Sequence, residues 1–252
     1  MRLLVFLFLL IGWSLNGQTK TIHIFVALCD NENQGIVKVP AHLGNGQQPE
    51  NNLYWGAAYG IKTFFQNKTS DWQLIRQLPV ANDTILERLL FKHVTKDIFL
   101  LADAYDGAHI RTCVEDFLLS ANGQHPRYHL QNQELLEFGG KADLLAYVGH
   151  DGLMDFQVDL SYTSISEPSR DVMILACFSK SFFAPEIEKA QTTPLLWTTH
   201  LMAPESYTLK AAIDGWIAGE SGKQIDERAA QAYHQYQQCG IRGARNLFTS
   251  GF

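Results

Sequence analysis

Short apolar runs recur along the chain, separated by polar or amphipathic stretches. Apolar runs without strict alternation are typical of strands that are buried on both faces of a parallel sheet. The strands predicted in this way cover residues 21–28, 72–77, 98–103, 144–148, 172–176 and 193–199. Each is short enough for a strand, and several end next to a chemically reactive side chain.

Helical spacing of apolar residues occurs between most of these runs. The predicted helices cover 53–65, a segment from the Asp83 cap to near Lys96, 109–120, 179–190, 203–216 and 226–239. Strands that alternate with helices favour a mainly parallel sheet covered by helices on both faces. We therefore expect an α/β three-layer sandwich. The loop at 30–52, rich in Gly, Asn and Gln, follows the first strand, and we expect it to lie ordered over a site.

The N-terminus has the pattern of a secretory signal peptide. A positive charge at Arg2 precedes an apolar run at 3–12 and then small and polar residues. The run is too short for a comfortable membrane span. We therefore expect a signal peptide at 1–17, a single α/β domain at 18–252, no stable membrane span, and a secreted or periplasmic location.

Composition excludes some partners and leaves the cysteines open. With a net charge of −6 and a pI near 5.8, the chain lacks the basic stripe of nucleic-acid-binding proteins. The four cysteines, Cys29, Cys113, Cys177 and Cys239, form no CxxC motif. Cys29 and Cys113 are expected to be buried apolar side chains, although a disulfide from Cys29 to Cys239 or to Cys113 remains an alternative.

The strongest chemical signal is a histidine and a cysteine that follow two consecutive buried runs. His150 comes after 144–148 and Cys177 after 172–176. If these strands are neighbours in a parallel sheet, both side chains emerge at its carboxyl edge, where ligands bind. A thiol beside an imidazole is the arrangement of a cysteine nucleophile. Backbone amides at Gly149, Asp151 and Gly152, and that of Cys177 itself, are candidates for stabilising an oxyanion.

The two blocks LLAYVGHDG (144–152) and VMILACFS (172–179) resemble the signature of the caspase-like cysteine peptidases, the group of caspases, legumains, gingipains, clostripains and separases. The resemblance implies a caspase-like fold and an endopeptidase, a thiol protease with His150 and Cys177 as its dyad. It also implies a peptide or protein substrate and no cofactor. The chain departs from the pattern at Asp151, where the group usually has glycine, and its histidine-to-cysteine spacing is short.

Other polar residues at strand ends are weaker candidates. Asp30, Asp103, Asp106 and His200 are expected near the crevice, where the acids would read a basic substrate side chain. The alternating acids Asp151, Asp155 and Asp159 favour a solvent-facing strand over a cation site.

Two rival functions remain at this point. One is a degenerate, non-catalytic exported module that binds a peptide or glycan. The other is a metal-dependent hydrolase in which Cys177, His150 and His200 hold zinc. The histidines elsewhere show no metal-ligand spacing, so no metal is expected.

Overall fold

The computed structural model describes residues 19–163 and 169–252; the predicted signal peptide at 1–17 lies outside this part of the chain. The strands within it are β1 (Lys20–Ala27), β2 (Trp72–Gln77), β3 (Ile85–His93), β4 (Ile98–Tyr105), β5 (Pro126–Gln131), β6 (Glu134–Gly139), β7 (Leu144–Val148), β8 (Asp171–Leu175), β9 (Thr193–Thr198) and β10 (Phe248–Thr249). The helices are α1 (Ile61–Asn67), α2 (Ile110–Ala121), α3 (Ser179–Lys189), α4 (Ser206–Ile217), α5 (Gly222–Gln237) and α6 (Ile241–Leu247).

A mixed, mainly parallel sheet of eight strands forms the centre of the fold. Its order is β10-β9-β8-β7-β1-β4-β3-β2, and the five strands from β9 to β4 in this order run parallel. The strands β2, β3 and β10 add antiparallel edges. The predicted α/β class with a mainly parallel sheet is confirmed.

Helices cover both faces of the sheet because its central strands are apolar on both faces. Along β1, Ile22, Ile24 and Val26 pack in a core with α1, α4, α5 and α6. The neighbouring Phe25 points to the opposite core, which it shares with α2 and α3. This alternation follows from the two-residue period of a strand, and it produces the three layers.

The prediction of a helix after Asp83 is wrong, because this segment forms strand β3. Its Leu, Glu, Arg and Lys residues have good helix propensity, which is a weak guide where tertiary contacts compete. In the structure, Ile85, Glu87, Leu89 and Phe91 are buried in alternation. The segment pairs with β4 on one side and β2 on the other. Cross-strand pairing and burial therefore override the local preference.

Two further segments differ from the prediction. The helix expected at 53–65 begins only at Ile61, and residues 53–60 form turns in which the backbones of Gly56 and Gly60 pack too closely against preceding residues to leave room for a side chain. The segment from Pro126 to Gly139, predicted only as polar connection, forms the β5–β6 hairpin. Leu136 and Phe138 of this hairpin pack against Leu90 and Phe99.

The sheet register brings the predicted histidine and cysteine strands together. Strands β7 and β8 are adjacent and parallel, with Val148 opposite Leu175. Strand β1 lies on the other side of β7, with Val26 opposite Val148. The segments that follow these three strands therefore leave the sheet at the same edge. In the described residues, no helix is both long and apolar enough to cross a membrane.

Candidate functional site

A cleft of about 330 Å³ lies at this carboxyl edge, and both His150 and Cys177 line it. We call it the Cys177 cleft. Its remaining walls come from the loop after β1, from Leu53 and Tyr54, from Met154, and from the segment between β9 and α4. Its volume falls in the range of about 300–1,000 Å³ that is common for ligand pockets. The loop at 30–52 thus contributes to the site, as expected from the sequence.

Cys177 occupies the turn between β8 and α3. Its Sγ lies 3.4 Å from the backbone N of Met202 and 3.6 Å from the Met202 carbonyl oxygen. Burial raises the pKa of the Cys177 thiol, and the nearby Asp151 carboxyl raises it further, against the lowering effect of the Met202 amide. The resting side chain is therefore a protonated thiol at neutral pH.

The residue after Cys177 holds the turn in an unusual backbone conformation. Phe178 has a φ of 51°, in the left-handed region that non-glycine residues rarely occupy. Its N–H donates to the His200 carbonyl at 3.0 Å, and its ring stacks on the His200 ring with centroids 6.0 Å apart. Such backbone conformations cluster at functional sites, where the surrounding contacts maintain them.

His150 is 7 % exposed and is held through both its backbone and its ring. The hydroxyl of Tyr147 donates to the His150 carbonyl at 2.7 Å. The ring Nε2 lies 2.7 Å from Asp155 Oδ2. Because a carboxylate only accepts hydrogen bonds, this contact places the proton on Nε2 and leaves Nδ1 as the basic nitrogen. Among the described residues, no hydrogen bond joins His150 to Cys177 in this state.

Asp155 is the site residue that sequence reasoning missed. Its side chain is exposed, as predicted, but it follows a short 3₁₀ turn, Gly152–Met154, instead of lying on a strand, and this turn places it against His150. Its Oδ2 also accepts from the Gly35 N–H at 3.0 Å, so it ties the histidine to the loop after β1. The Gly152 in the HDG motif is a signal for such a turn, although the return contact depends on the fold.

Gly149 fits its position for a steric reason. Its φ of 155° is unfavourable for other residues, and an added Cβ would lie 2.9 Å from the Ala27 carbonyl oxygen. Its N–H donates to the Leu175 carbonyl at 3.2 Å, so this amide is already occupied. In the described chain, by contrast, no hydrogen bond leaves the N–H of Cys177, Asp151 or Gly152. These three remain as candidate oxyanion donors.

The side chain of Asp151, the residue that follows His150, is fully buried. Its Oδ1 accepts from the Leu153 N–H at 3.0 Å, whereas its Oδ2 has no partner within the described residues. Burial raises the pKa of Asp151 to about 7, against the lowering effect of the Leu153 and Met154 amides. A buried carboxyl that is about half protonated at neutral pH therefore stands where the caspase-like pattern has glycine.

Two of the acids predicted to bind a basic substrate side chain, Asp30 and Asp106, instead form hydrogen bonds within the protein. Asp30 is buried and accepts hydrogen bonds from the Glu32 amide and from the amide and side chain of Asn33. Burial acts to raise the pKa of Asp30, but these bonds and one from Gln47 lower it overall. Asp106 caps the turn at Ala108 and also accepts from Gln47. Both carboxyls stabilise loops, and neither lines the Cys177 cleft.

Asp103 and His200 also lie outside the cleft. Asp103 is fully buried in a cluster with His23, Arg88 and Arg127. Despite burial, the Arg88 and His23 contacts hold the pKa of Asp103 well below its usual range. His200 is exposed and lines a neighbouring cavity of about 380 Å³ together with Cys239.

All four cysteines are free, with Cys29 and Cys113 buried. The open disulfide alternatives are therefore not realised in this structure. No group of three or more His, Cys, Asp or Glu side chains is arranged for a metal ion in the described ranges. Cys177, His150 and His200 do not come together as a zinc site.

Comparison of the chain with protein-family models, with curated proteins and with solved structures yields no match. The argument for function consequently rests on the geometry of the Cys177 cleft and on the two sequence blocks around it.

Proposed function

We propose that this protein is an exported cysteine endopeptidase in which Cys177 is the nucleophile and His150 the acid–base residue. The observation that carries the proposal is that both side chains line one cleft at the carboxyl ends of two adjacent parallel strands. The resemblance of the two sequence blocks to caspase-like peptidases supports the same assignment. Ligand sites at this edge of an α/β sheet are the rule.

The chemistry follows from the protonation states of the free protein. Because the resting thiol is protonated, its proton must leave as the substrate binds, and His150 Nδ1 is the available acceptor. The Cys177 sulfur then bonds to the scissile carbonyl carbon, and the carbonyl oxygen becomes an oxyanion. The backbone N–H groups of Cys177 and Asp151 are the donors proposed for this oxyanion.

His150 completes the cycle by moving the same proton. The imidazolium gives its proton to the leaving amine, the C–N bond breaks, and a thioester remains on Cys177. Water then attacks the thioester while His150 accepts a proton, releasing the acid product and restoring the thiol. Asp155 keeps the ring oriented through its contact with Nε2. No cofactor enters this sequence.

A second candidate function is a non-catalytic module that binds a peptide in the same cleft. The specific observation in its favour is that Cys177 Sγ contacts Met202 and has no hydrogen bond to His150 within the described structure. The raised pKa of Cys177 points the same way. In this alternative, substitution of Cys177 leaves peptide affinity unchanged.

Protease assays on the purified protein distinguish these possibilities. We expect cleavage of a mixed peptide library by the wild type, loss of cleavage of at least about 100-fold in Cys177→Ala and His150→Ala, and no effect of a chelator. Cys239→Ala is the matched control, because Cys239 is an exposed free thiol outside the cleft. Equal cleavage by wild type and Cys177→Ala would overturn the proposal, and inactivation by the chelator would revive the metal-dependent alternative.

A further inference from the structure

The walls of the Cys177 cleft are apolar beyond the reacting pair. Ile36, Val37 and Val39 come from the loop after β1, and Leu201, Met202 and Pro204 come from the segment that follows β9. The two groups approach from different parts of the chain and flank the histidine and the cysteine. No Lys, Arg, Asp or Glu belongs to the lining that the structure describes.

Three of the lining side chains are unusually exposed for apolar residues. Val37 is 90 % exposed, Leu201 is 68 % exposed and Met154 is 42 % exposed. Scattered exposed apolar residues are normal at protein surfaces, but a group of them rimming one concave site marks a binding surface. Together they present an apolar rim beside Cys177.

The acids that would select a basic side chain are absent from this surface. Asp30 and Asp106 are held by loop hydrogen bonds, and Asp103 is fully buried in its own ion cluster. The Asp155 carboxyl, which lies outside the lining of the cleft, is bonded to His150 and Gly35. A charged substrate side chain entering the cleft would lose water without gaining an ionic partner.

We propose that the Cys177 cleft selects an apolar side chain, such as that of Leu, Met or Phe, on the residue that supplies the scissile carbonyl. This inference rests on the proposed peptidase function for the position of the bound residue, and on the lining alone for its chemistry. The apolar rim covers the substrate side chain, and burial of both apolar surfaces favours binding. Aspartate, lysine and arginine at the same position are disfavoured by desolvation.

The first experiment compares fluorogenic peptides that differ only at this residue. We expect kcat/KM for Leu, Met and Phe to exceed that for Asp, Lys and Arg by at least about tenfold, since pockets discriminate by this much for small changes in buried surface. The same peptides, carrying a fluorophore, are also titrated onto the Cys177→Ala variant, which lacks the proposed nucleophile. Fluorescence anisotropy then gives the affinity of each peptide. This second reading reports selectivity without chemistry.

The cleavage rates and the binding affinities together distinguish failure of this inference from failure of the proposed function. Apolar selectivity in binding without any cleavage by the wild type would reject the peptidase and retain the apolar cleft. Cleavage with a preference for a charged residue would retain the peptidase and overturn this inference. Flat or absent binding selectivity would also overturn it.

Substitutions at the rim test the assignment of the surface. Because Val37 and Leu201 are exposed, Val37→Asp and Leu201→Asp should leave the fold intact. We expect each to reduce the preference for Leu over Lys by about tenfold. Leu130→Asp is the matched control, since Leu130 is 65 % exposed on the β5–β6 hairpin and lies outside the cleft. An equal effect of the control, or no effect at Val37 and Leu201, would place selectivity elsewhere.

Discussion

Asp155 Oδ2 lies 2.7 Å from His150 Nε2 and 3.0 Å from the Gly35 nitrogen. One carboxylate therefore fixes the imidazole and links it to the loop that forms a wall of the Cys177 cleft. In the proposed mechanism, the contact leaves Nδ1 as the nitrogen that exchanges protons with the substrate. Because Asp155 follows His150 by five positions across a tight turn, the pair depends on the turn as much as on the side chains.

Removing this carboxylate should weaken catalysis without abolishing it. We expect Asp155→Ala to lower kcat/KM by more than about tenfold, and by less than the roughly 10²–10⁴-fold that an acid–base residue itself contributes. Asp159→Ala is the control, since Asp159 is an exposed aspartate on the same segment. Equal activity of Asp155→Ala and wild type would remove Asp155 from the mechanism.

The raised pKa of the Cys177 thiol predicts how the rate of its alkylation depends on pH. Because burial raises the pKa of its thiol, iodoacetamide should label Cys177 slowly below pH 8 and faster only as the pH rises well above 8. Mass spectrometry of the labelled protein gives the rate at each pH, with Cys239 as an internal exposed reference. Rapid labelling near pH 6 that is lost in His150→Ala would instead indicate a resting thiolate–imidazolium pair.

Burial of Asp151 should make stability depend on pH. Its pKa is about 7 in the folded protein against an ordinary value of 3.8. The stabilising contribution of the protonated form is therefore complete below pH 4 and is lost as the pH rises toward 7, at up to about 1.4 kcal/mol per pH unit. Urea unfolding of the wild type and of Asp151→Asn between pH 4 and 7 measures this contribution to the free energy of unfolding.

The Asn variant is the reference because it stays neutral at every pH. We expect the wild type to lose free energy of unfolding relative to Asp151→Asn between pH 4 and 7, and to change little relative to it below pH 4. Curves that remain parallel throughout would show that Asp151 titrates normally.

The buried cluster around Asp103 should serve stability and leave catalysis unaffected. Asp103 accepts from Arg88 at 2.6 Å through both oxygens and contacts His23 at 3.1 Å. Asp103→Ala leaves the partly buried guanidinium groups of Arg88 and Arg127 without their buried partner, and we expect a loss of about 3–5 kcal/mol in the free energy of unfolding. The kcat/KM of the molecules that remain folded should stay within about threefold of wild type.

A surface aspartate provides the comparison for Asp103. Asp97 pairs with Lys92 at 3.5 Å with both side chains largely exposed, so Asp97→Ala should cost no more than about 1 kcal/mol. If Asp103→Ala kept its stability but altered substrate preference, Asp103 would belong to the substrate site after all.

The sequence predicted the parts of the fold in which local pattern and tertiary environment agree. The central strands β1, β4, β7, β8 and β9 are apolar enough to be recognised wherever they pair. Strand β3 was mistaken for a helix because its residues favour a helix locally and become a strand only through pairing with β2 and β4. The β5–β6 hairpin was missed for a related reason: its exposed face carries apolar residues such as Leu130 and Leu135, which obscure the alternation.

By itself the sequence determined that His150 and Cys177 end two buried strands, and hence that they meet if those strands are neighbours. Only the tertiary structure decided that the strands are adjacent, that Asp155 folds back onto the imidazole, and that Asp30, Asp103 and Asp106 are engaged elsewhere. The reason is physical: strand burial is encoded in the local pattern of apolar residues. The partners of a polar side chain depend on which distant segments the packed core brings within hydrogen-bonding distance.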